Sequence, residues 1–285
     1  MYPPKFDYMR ADSPANALEM MAANPDAKVM AGGHSLIPAM NLRLADPGTI
    51  IDIGRVADFK FLNANGGIVG IGSGTTHAQV AASSDVPSGL SEAASMIGDP
   101  QVRNRGTVGG NIAHADPASD LPTVLVALDA TISTVSNSGS RMIKAGDFFT
   151  DLFETALEEG ELVAEVSMAQ DGANTGSAYE KLFNPASRYA MVGAAARVTV
   201  EGGVCTSVSV AIGGLTPKAQ AAPSVNAALQ GQAATADNIA AAAAAVQNDL
   251  GDDVMGDMHA SADYRRQMAT VFVQRALAKA VERAG

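Results

Sequence analysis

The chain has 285 residues, of which 47% are hydrophobic and 17% charged, a composition typical of a globular protein with room for two or three compact domains. Its formal net charge of −11 argues against a nucleic-acid partner and against binding to anionic membranes, because both need clustered basic residues. The one cysteine, Cys205, can form neither an internal disulfide nor an iron–sulfur cluster, which needs about four ligands.

The beginning of the sequence, MYPPKFDYMRADSP, lacks the basic segment and following apolar segment of a secretory signal. No stretch approaches the roughly 18 uncharged apolar residues that a membrane-spanning helix needs. Together with the cysteine count, these features favour a cytoplasmic protein without a membrane-spanning segment.

The N-terminal part carries signals for one helix and two strands. Residues 13–27 are predicted to form a helix, with Ser13 as its N-cap and Pro14 at its first position. Residues 28–33 are predicted to form a short strand that ends in a glycine turn, and residues 49–54 a buried strand. This order predicts a small βαβ-like unit.

The middle of the chain is predicted to alternate between strands and helices. The predicted elements are a strand and a helix within 66–83, a helix at 89–98, a helix beginning near Pro122, and strands at 131–135 and 160–168. The run GIGSGTTH (70–77) resembles a dinucleotide fingerprint but lacks the third glycine at the required spacing, so we interpret it as a packing turn.

The pattern changes near residue 170, where the polar run DGANTG (171–176) is typical of a linker. Residues 190–202 and 205–215 alternate in hydrophobicity and are joined by Glu-Gly-Gly, which predicts a hairpin. Helices are predicted at 235–250 and 261–284. The region from about residue 175 is therefore predicted to be a separate α+β layer.

Two glycine turns, AGGHS (31–35) and TVGGN (107–111), are the features that most favour a binding function. Glycine adopts positive φ without strain, and successive backbone N–H groups can then form a concave anion site. Two such turns, each ending in a polar residue, could hold the two ends of a diphosphate ligand. Gly-Gly pairs also occur in ordinary turns, so the pattern by itself leaves both interpretations open.

Three segments together resemble the medium, FAD-binding subunit of the molybdenum hydroxylases, and especially that of the carbon monoxide dehydrogenases. They are AGGHSLIPAMNLRLADPGTIIDIG (31–54), IGDPQVRNRGTVGGNIAHADPASDLP (97–122) and YEKLFNPASRYAMVG (179–193). The three occur in the family's order, and the resemblance spans nearly the whole chain.

The resemblance implies an α+β fold in three parts. Two α/β FAD-binding subdomains of the vanillyl-alcohol oxidase type would occupy about residues 1–55 and 56–170. A C-terminal domain, about 175–285, would pack an antiparallel sheet with helices. The change of pattern near residue 170 agrees with this division.

The resemblance also implies a set of FAD-binding residues, carried over by position. The first pyrophosphate turn corresponds to Ala31, Gly32, Gly33, His34 and Ser35, and the second to Thr107, Val108, Gly109, Gly110 and Asn111. The remaining residues are Asp120, which would bond FAD, Leu162 or Val163, which would line it, and Ile97, Lys181 and Tyr189, which would lie at the flavin ring. A positive charge at Lys181 would favour the anionic reduced flavin.

By the same resemblance, FAD is the cofactor of this chain, and no catalytic residue or metal site is expected on it. Molybdopterin would belong to a large partner subunit and two [2Fe–2S] clusters to a small one, in a dimer of heterotrimers. Electrons would pass from the clusters through FAD to an external acceptor. The large subunit would choose the substrate, so the substrate is not encoded in this sequence.

Two alternatives stay open at this point. The chain could be a stand-alone FAD-dependent oxidoreductase, which would need its own substrate pocket, or a non-catalytic docking subunit with a degenerate FAD site. His77, His114 and His259 lack the spacing of metal ligands and are interpreted as structural. Arg103 and Arg105, which flank the second turn, are left out of the predicted site.

Overall fold

The computed structural model describes residues 2–285, which form three β-sheets, one short two-stranded hairpin and the helices around them. The strands are β1 (Asp7–Arg10), β2 (Lys28–Met30), β3 (Thr49–Asp52), β4 (Leu62–Asn65), β5 (Ile68–Gly72), β6 (Thr131–Ser136), β7 (Gly139–Lys144), β8 (Phe149–Asp151), β9 (Glu154–Thr155), β10 (Leu162–Ala169), β11 (Thr175–Phe183), β12 (Ala190–Glu201), β13 (Val204–Gly213) and β14 (Gln220–Ala221).

The helices alternate with these strands in the first two thirds of the chain and cluster at its end. They are α1 (Pro14–Ala23), α2 (Leu36–Asn41), α3 (His77–Ala82), α4 (Ser88–Met96), α5 (Pro100–Arg103), α6 (Val108–His114), α7 (Asp120–Ala127), α8 (Ala145–Phe148), α9 (Pro223–Leu229), α10 (Ala236–Ala244) and α11 (Ala262–Ala284), with 3₁₀ turns at Ala57–Phe59 and Ala245–Asn248. Within residues 2–285, no helix combines the length and the hydropathy that crossing a membrane requires.

The first sheet is parallel, with the order β1-β3-β2 and the buried Ile50 and Ile51 on its central strand. The helix α1, which connects β1 to β2 of this sheet, is capped as predicted by Ser13. It ends at Ala23, four residues earlier than predicted, because a residue that precedes a proline, here Pro25, disfavours helical backbone.

The second sheet is antiparallel throughout, with the order β4-β5-β10-β6-β7. Helices α6 and α8 contact this sheet, and α3, α4 and α7 share one hydrophobic cluster with it. All eight residues of α7 are buried. The helix α7 is therefore an internal element, and its first residue, Asp120, is buried with it.

The third sheet, β11-β12-β13-β14, is antiparallel and is covered by helices on both faces. Helix α11 lies against one face, and α4 and α7 lie against the other. Ala178 and Ala194 belong to the cluster with α11, whereas Tyr179 and Ala195, their neighbours along the strands, belong to the cluster with α7. The strand alternation thus assigns successive side chains to two different cores.

The run at 70–77 is a packing turn, as predicted, and it supports the second glycine turn. The Val108 amide donates to Thr75 O at 2.9 Å, and the His77 amide donates to Gly106 O at 3.0 Å. A Cβ on Gly109 would overlap the side chain of Ser73, so a glycine is required for this close approach.

The two glycine turns also touch each other directly. A Cβ on Gly32 would overlap the carbonyl oxygen of Arg105, just before the second turn. A Cβ on Gly110 would lie 3.8 Å from the Cβ of Ala31. The bare backbone at Gly32 is therefore required by the contact between the turns.

His77 lies beneath this junction. Its side chain is 3% exposed, its ring lies against Gly106, and its Nδ1 has no hydrogen-bond partner among the described residues. Burial lowers the pKa of His77 from 6.5 to about 4, because the charged ring would be poorly solvated. The native structure therefore contains neutral His77 at neutral pH.

We expect acid to destabilise the protein through His77. Since its folded-state pKa lies below the unfolded value of 6.5, the unfolded chain binds the proton more tightly, and stability is lost as the pH falls from 6.5 towards 4. The difference of 2.5 units (6.5 minus 4) corresponds to a loss of about 3 kcal/mol. Urea unfolding across this range should show a shallower pH dependence for His77→Gln than for the wild-type chain. The matched variant is His259→Gln at an exposed histidine, and a slope that changes equally in both would contradict the prediction.

We expect Gly32→Ala to destabilise the contact between the turns. The added methyl would overlap backbone, which cannot rotate away, so the free energy of unfolding should fall by about 1–3 kcal/mol in urea titrations. Gly48→Ala is the matched control, because a Cβ on Gly48 would meet no atom within 4 Å. Equal stability of the two variants would show that the turns do not rely on this approach.

Candidate functional site

The first glycine turn joins β2 to α2 and contains the predicted residues Ala31, Gly32, Gly33, His34 and Ser35. Gly33 has φ +75°, which reverses the chain into the helix. Among the described residues, the backbone N–H groups of residues 32–36 have no protein acceptor. The turn thus offers five consecutive donors to an anion, as the sequence predicts.

The second turn differs from this expectation. Thr107 is the N-cap of α6, and the predicted residues Val108, Gly109, Gly110 and Asn111 form the first turn of that helix. The amides of Val108, Gly109, Gly110 and Asn111 donate to Thr75 O, Ser73 O, the Thr107 side chain and Thr107 O, respectively. All four amides therefore hold the fold together, and none of them is free for a phosphate.

Asn111 supplies what the second turn can offer to a ligand. Its side-chain oxygen accepts a hydrogen bond from the Ser119 hydroxyl at 2.8 Å. Its side-chain amide has no acceptor within residues 2–285, so it is an available donor. The Ser119 contact also links this turn to the start of α7, where Asp120 follows directly.

Asp120 lies in a buried polar cluster with Tyr179 and Lys181. The Tyr179 hydroxyl donates to Asp120 Oδ1 at 2.6 Å, and the Lys181 ammonium donates to Oδ2 at 2.9 Å. All three side chains are at most 7% exposed. Burial raises the pKa of Asp120 and lowers that of Lys181, and the pairing opposes both shifts. Burial also raises the pKa of Tyr179 well above its usual value, so this hydroxyl stays a donor.

Lys181 has two further acceptors, Met96 O at 3.1 Å and Arg188 O at 2.7 Å. An ammonium has three N–H groups, and here all three donate to the protein. Lys181 thus has no N–H group left over for a ligand in this structure, and its place at the flavin ring stays a prediction. The Lys181–Asp120 pair also carries no net charge, which weakens the expectation that it favours an anionic flavin.

Ile97 and Tyr189 directly follow two of the residues that hold Lys181. Ile97 is partly buried at the end of α4, and Tyr189 is 46% exposed in the loop between β11 and β12. Arg103 donates to the carbonyls of Ile97 and Gly98 at 3.0 and 3.2 Å. Arg103 was left out of the predicted site, yet it fixes the Ile97 loop.

Leu162 and Val163 are each 6% exposed on β10. Leu162 packs in the hydrophobic cluster of the first sheet, and Val163 packs in that of the second. The structure brings neither side chain to an open surface. That one of them lines the cofactor stays a prediction.

Tyr179 is the main residue of this cluster that sequence reasoning missed. The available signal was strand periodicity, because Ser177, Tyr179 and Lys181 alternate along β11 and therefore share one face. Ser177 accepts from the Gly89 amide of α4 at 2.9 Å, so this face of β11 is directed at the helices throughout. Tyr179 stands between Ala178 and Glu180, and neither neighbour indicates its carboxylate partner Asp120.

Comparison with protein families gives two matches that agree with this geometry. Residues 4–168 match the FAD binding domain in molybdopterin dehydrogenase, and residues 177–280 match the CO dehydrogenase flavoprotein C-terminal domain. The 6-hydroxypseudooxynicotine dehydrogenase complex subunit alpha of Paenarthrobacter nicotinovorans is 39% identical over 100% of this chain and 97% of its own length. The carbon monoxide dehydrogenase medium chain of Hydrogenophaga pseudoflava is 36% identical, with 97% of each chain covered.

Solved structures show the same similarity in three dimensions. The carbon monoxide dehydrogenase from Hydrogenophaga pseudoflava that lacks the Mo-pyranopterin moiety superposes with a TM-score of 0.95 at 37% identity, covering 100% of both chains. Quinoline 2-oxidoreductase from Pseudomonas putida 86 gives a TM-score of 0.92 at 30% identity, covering 100% of this chain and 99% of the other. The chain therefore belongs to the family of FAD-binding medium subunits of the molybdenum hydroxylases, as an oxidoreductase subunit whose cofactor is FAD.

Proposed function

We propose that this chain is the electron-transfer subunit of a molybdenum-containing hydroxylase, with FAD bound between its two glycine turns and the loops at Lys181. The observation that carries the proposal is the row of free amides at residues 32–36. Neutral backbone donors can bind a diphosphate even in a protein of net charge −11, and this turn concentrates five of them.

The residues that would hold FAD form one continuous row on the protein, and this row suits the shape of the cofactor. Beyond the first turn, Gly110 lies beside Ala31, and Asn111 is bonded to Ser119, the neighbour of Asp120. The row ends at the loops that carry Ile97 and Tyr189. An elongated ligand with a diphosphate and an aromatic ring suits such a site. The full set of FAD-binding residues named in the sequence analysis, including Leu162 and Val163, is part of this proposal, with the role of Lys181 revised below.

Bound FAD would supply the redox chemistry, taking electrons from the [2Fe–2S] clusters of a partner and releasing them to an external acceptor. The chain's own residues bind and orient. The amides of residues 32–36, which have no protein acceptor, would donate to the diphosphate, and Asn111 would donate through its side-chain amide. The partly exposed Tyr189 would lie at the flavin ring. No side chain of this chain needs to move a proton.

The partners we propose are a large molybdopterin subunit and a small iron–sulfur subunit in a dimer of heterotrimers located in the cytoplasm. The relatives are named as a complex subunit and as a medium chain, which supports an assembly of this kind. We also propose domain limits near residues 55 and 170, which agree with the division of the strands among the three sheets.

On this proposal, the large subunit of the complex selects the substrate. Similar subunits carry names that refer to 6-hydroxypseudooxynicotine, glyceraldehyde, carbon monoxide and nicotine. Subunits of similar sequence thus belong to proteins that are named for very different substrates. The same diversity disfavours a stand-alone flavoenzyme, since a substrate pocket would have to differ with each of them.

We expect Ser35→Asp to weaken FAD binding by at least about tenfold, because its carboxylate would repel the diphosphate at close range. Aspartate is a favourable N-cap, and Ser35 makes no side-chain cap hydrogen bond, so the fold should tolerate the change. The measurement is FAD titration of the purified apo chain, followed by flavin fluorescence.

Two matched variants isolate the effect of the charge at this turn. Ser35→Asn has nearly the same shape without the charge, and Thr235→Asp adds the same charge at the N-cap of α10, in the C-terminal helix layer. Both should bind FAD like the wild-type chain. Equal affinity of Ser35→Asp and Ser35→Asn would place the diphosphate elsewhere.

The relay role predicts the composition of the native assembly. A tagged chain purified from the cells that produce it should carry one FAD and retain two further subunits, with molybdenum and acid-labile sulfide in the complex. Removing those subunits should leave a chain that holds FAD but has no dehydrogenase activity. A chain that purifies alone and oxidises a small substrate would instead support a stand-alone oxidoreductase.

A further inference from the structure

We propose that Lys181 is a positioning residue of the flavin site, whose ammonium ties together the three segments that carry Ile97, Asp120 and Tyr189. The inference rests on the proposed function for its connection to FAD. It assigns Lys181 a role different from the direct flavin contact that sequence resemblance implies.

The first step is the origin of the three acceptors. The carbonyl of Met96 belongs to the last residue of α4, and Oδ2 of Asp120 belongs to the first residue of α7. The carbonyl of Arg188 lies in the loop between β11 and β12. These acceptors are 85, 61 and 7 residues from Lys181 in sequence. Without the ammonium, no single group would join the three segments.

The second step is the identity of the neighbouring residues. Met96 is followed by Ile97 and Arg188 by Tyr189, the two side chains expected at the flavin ring, and the third acceptor is Asp120 itself. One ammonium thus fixes the backbone beside each residue of the predicted ring site. A shift of any acceptor would move its neighbour by a similar amount.

The third step is the cost of leaving the ammonium unsatisfied. The side chain of Lys181 is 2% exposed, so water cannot replace a lost acceptor. Because an unpaired buried charge is strongly unfavourable, the ammonium holds all three segments in place together. Arg188 also has φ +63°, an unfavourable conformation for a residue with a side chain, and the Lys181 bond to its carbonyl helps to retain it.

The fourth step separates positioning from electrostatics. Lys181 is neutralised by Asp120, and proton transfer between them would leave the net charge of the pair at zero. Among the charged groups around the pair, Arg188 and Arg103 are positive and Asp116 is negative, and Arg103 is held by the carbonyls of Ile97 and Gly98. A net positive field at the ring from Lys181 is therefore not what the structure provides.

The experiment compares Lys181→Met, Lys181→Arg and the exposed-site control Lys60→Met. Arginine keeps the charge but replaces the compact ammonium by a planar fork, which does not match three converging acceptors. A positioning role predicts that both Lys181 variants bind FAD at least about tenfold more weakly and lose visible circular dichroism of the bound flavin. A charge role predicts that Lys181→Arg behaves like the wild-type chain, which would overturn the proposal.

Hydrogen exchange on the apo chain tests, without any flavin, whether Lys181 holds the three segments together. Both Lys181 variants should lose protection at the ends of α4 and the start of α7 and in residues 184–190, while Lys60→Met should not. Unchanged exchange would overturn the proposal. A wild-type chain that binds no FAD would contradict the proposed function instead, and the exchange result would still decide whether Lys181 ties the segments.

A double-mutant cycle with Tyr189→Leu completes the design. If Lys181 acts through the loop of Tyr189, the effects of the two changes on the flavin reduction potential should be non-additive, whereas independent effects should add. If Lys181→Met alone does not fold, the double variant Lys181→Met/Asp120→Asn, which removes both buried charges, takes its place in the experiment. Additive effects in a folded variant would count against the proposal.

Discussion

The buried pair of Lys181 and Asp120 is the contact on which the arrangement of the site depends. It joins β11 of the third sheet to the first residue of α7, a helix that packs against the third sheet and shares a hydrophobic cluster with the second. Both groups are almost inaccessible to solvent, so neither can exchange its partner for water. The C-terminal sheet is thereby fixed against the elements that carry the two glycine turns.

Stability alone does not explain such a pair. Removing two charges from water costs several kcal/mol, and a well-packed apolar pair of similar volume often stabilises a fold as well or better. What the polar pair adds is direction, because three hydrogen bonds from one nitrogen fix two backbone carbonyls and one carboxylate relative to each other. This directional role explains why a lysine, Lys181, occurs in β11, where neighbouring side chains face a hydrophobic core.

The sequence could predict elements whose signals are local. Ser13 is the N-cap of α1 as the sequence indicates, and the Glu-Gly-Gly turn closes the β12–β13 hairpin. Strands β1, β4 and β7 were missed because they are short and largely exposed, so they lack the apolar alternation that marks a half-buried strand.

The difference between the two glycine turns could not be predicted, because it depends on acceptors far away in the chain. Two amides of the second turn donate to Ser73 and Thr75, more than thirty residues earlier, and the other two donate to Thr107, whereas the amides of the first turn meet no acceptor within residues 2–285. The two turns look alike in sequence, and only the fold decides which one presents donors. The resemblance to a flavin-binding family assigns both turns to the pyrophosphate, and the hydrogen bonds distinguish the turn whose amides are free from the turn whose amides are occupied.

This division of roles has a consequence for how an acidic protein binds an acidic cofactor. If both turns offered their amides, neither would be held in place by them before the ligand arrived. Here the amides of the second turn build a rigid base, and the contact of Gly32 with Arg105 seats the first turn on that base. The free donors of residues 32–36 are then pre-organised, so a diphosphate does not have to order the loop as it binds. Affinity for an anion can thus coexist with a net charge of −11, because it arises from a few fixed neutral donors rather than from the overall charge.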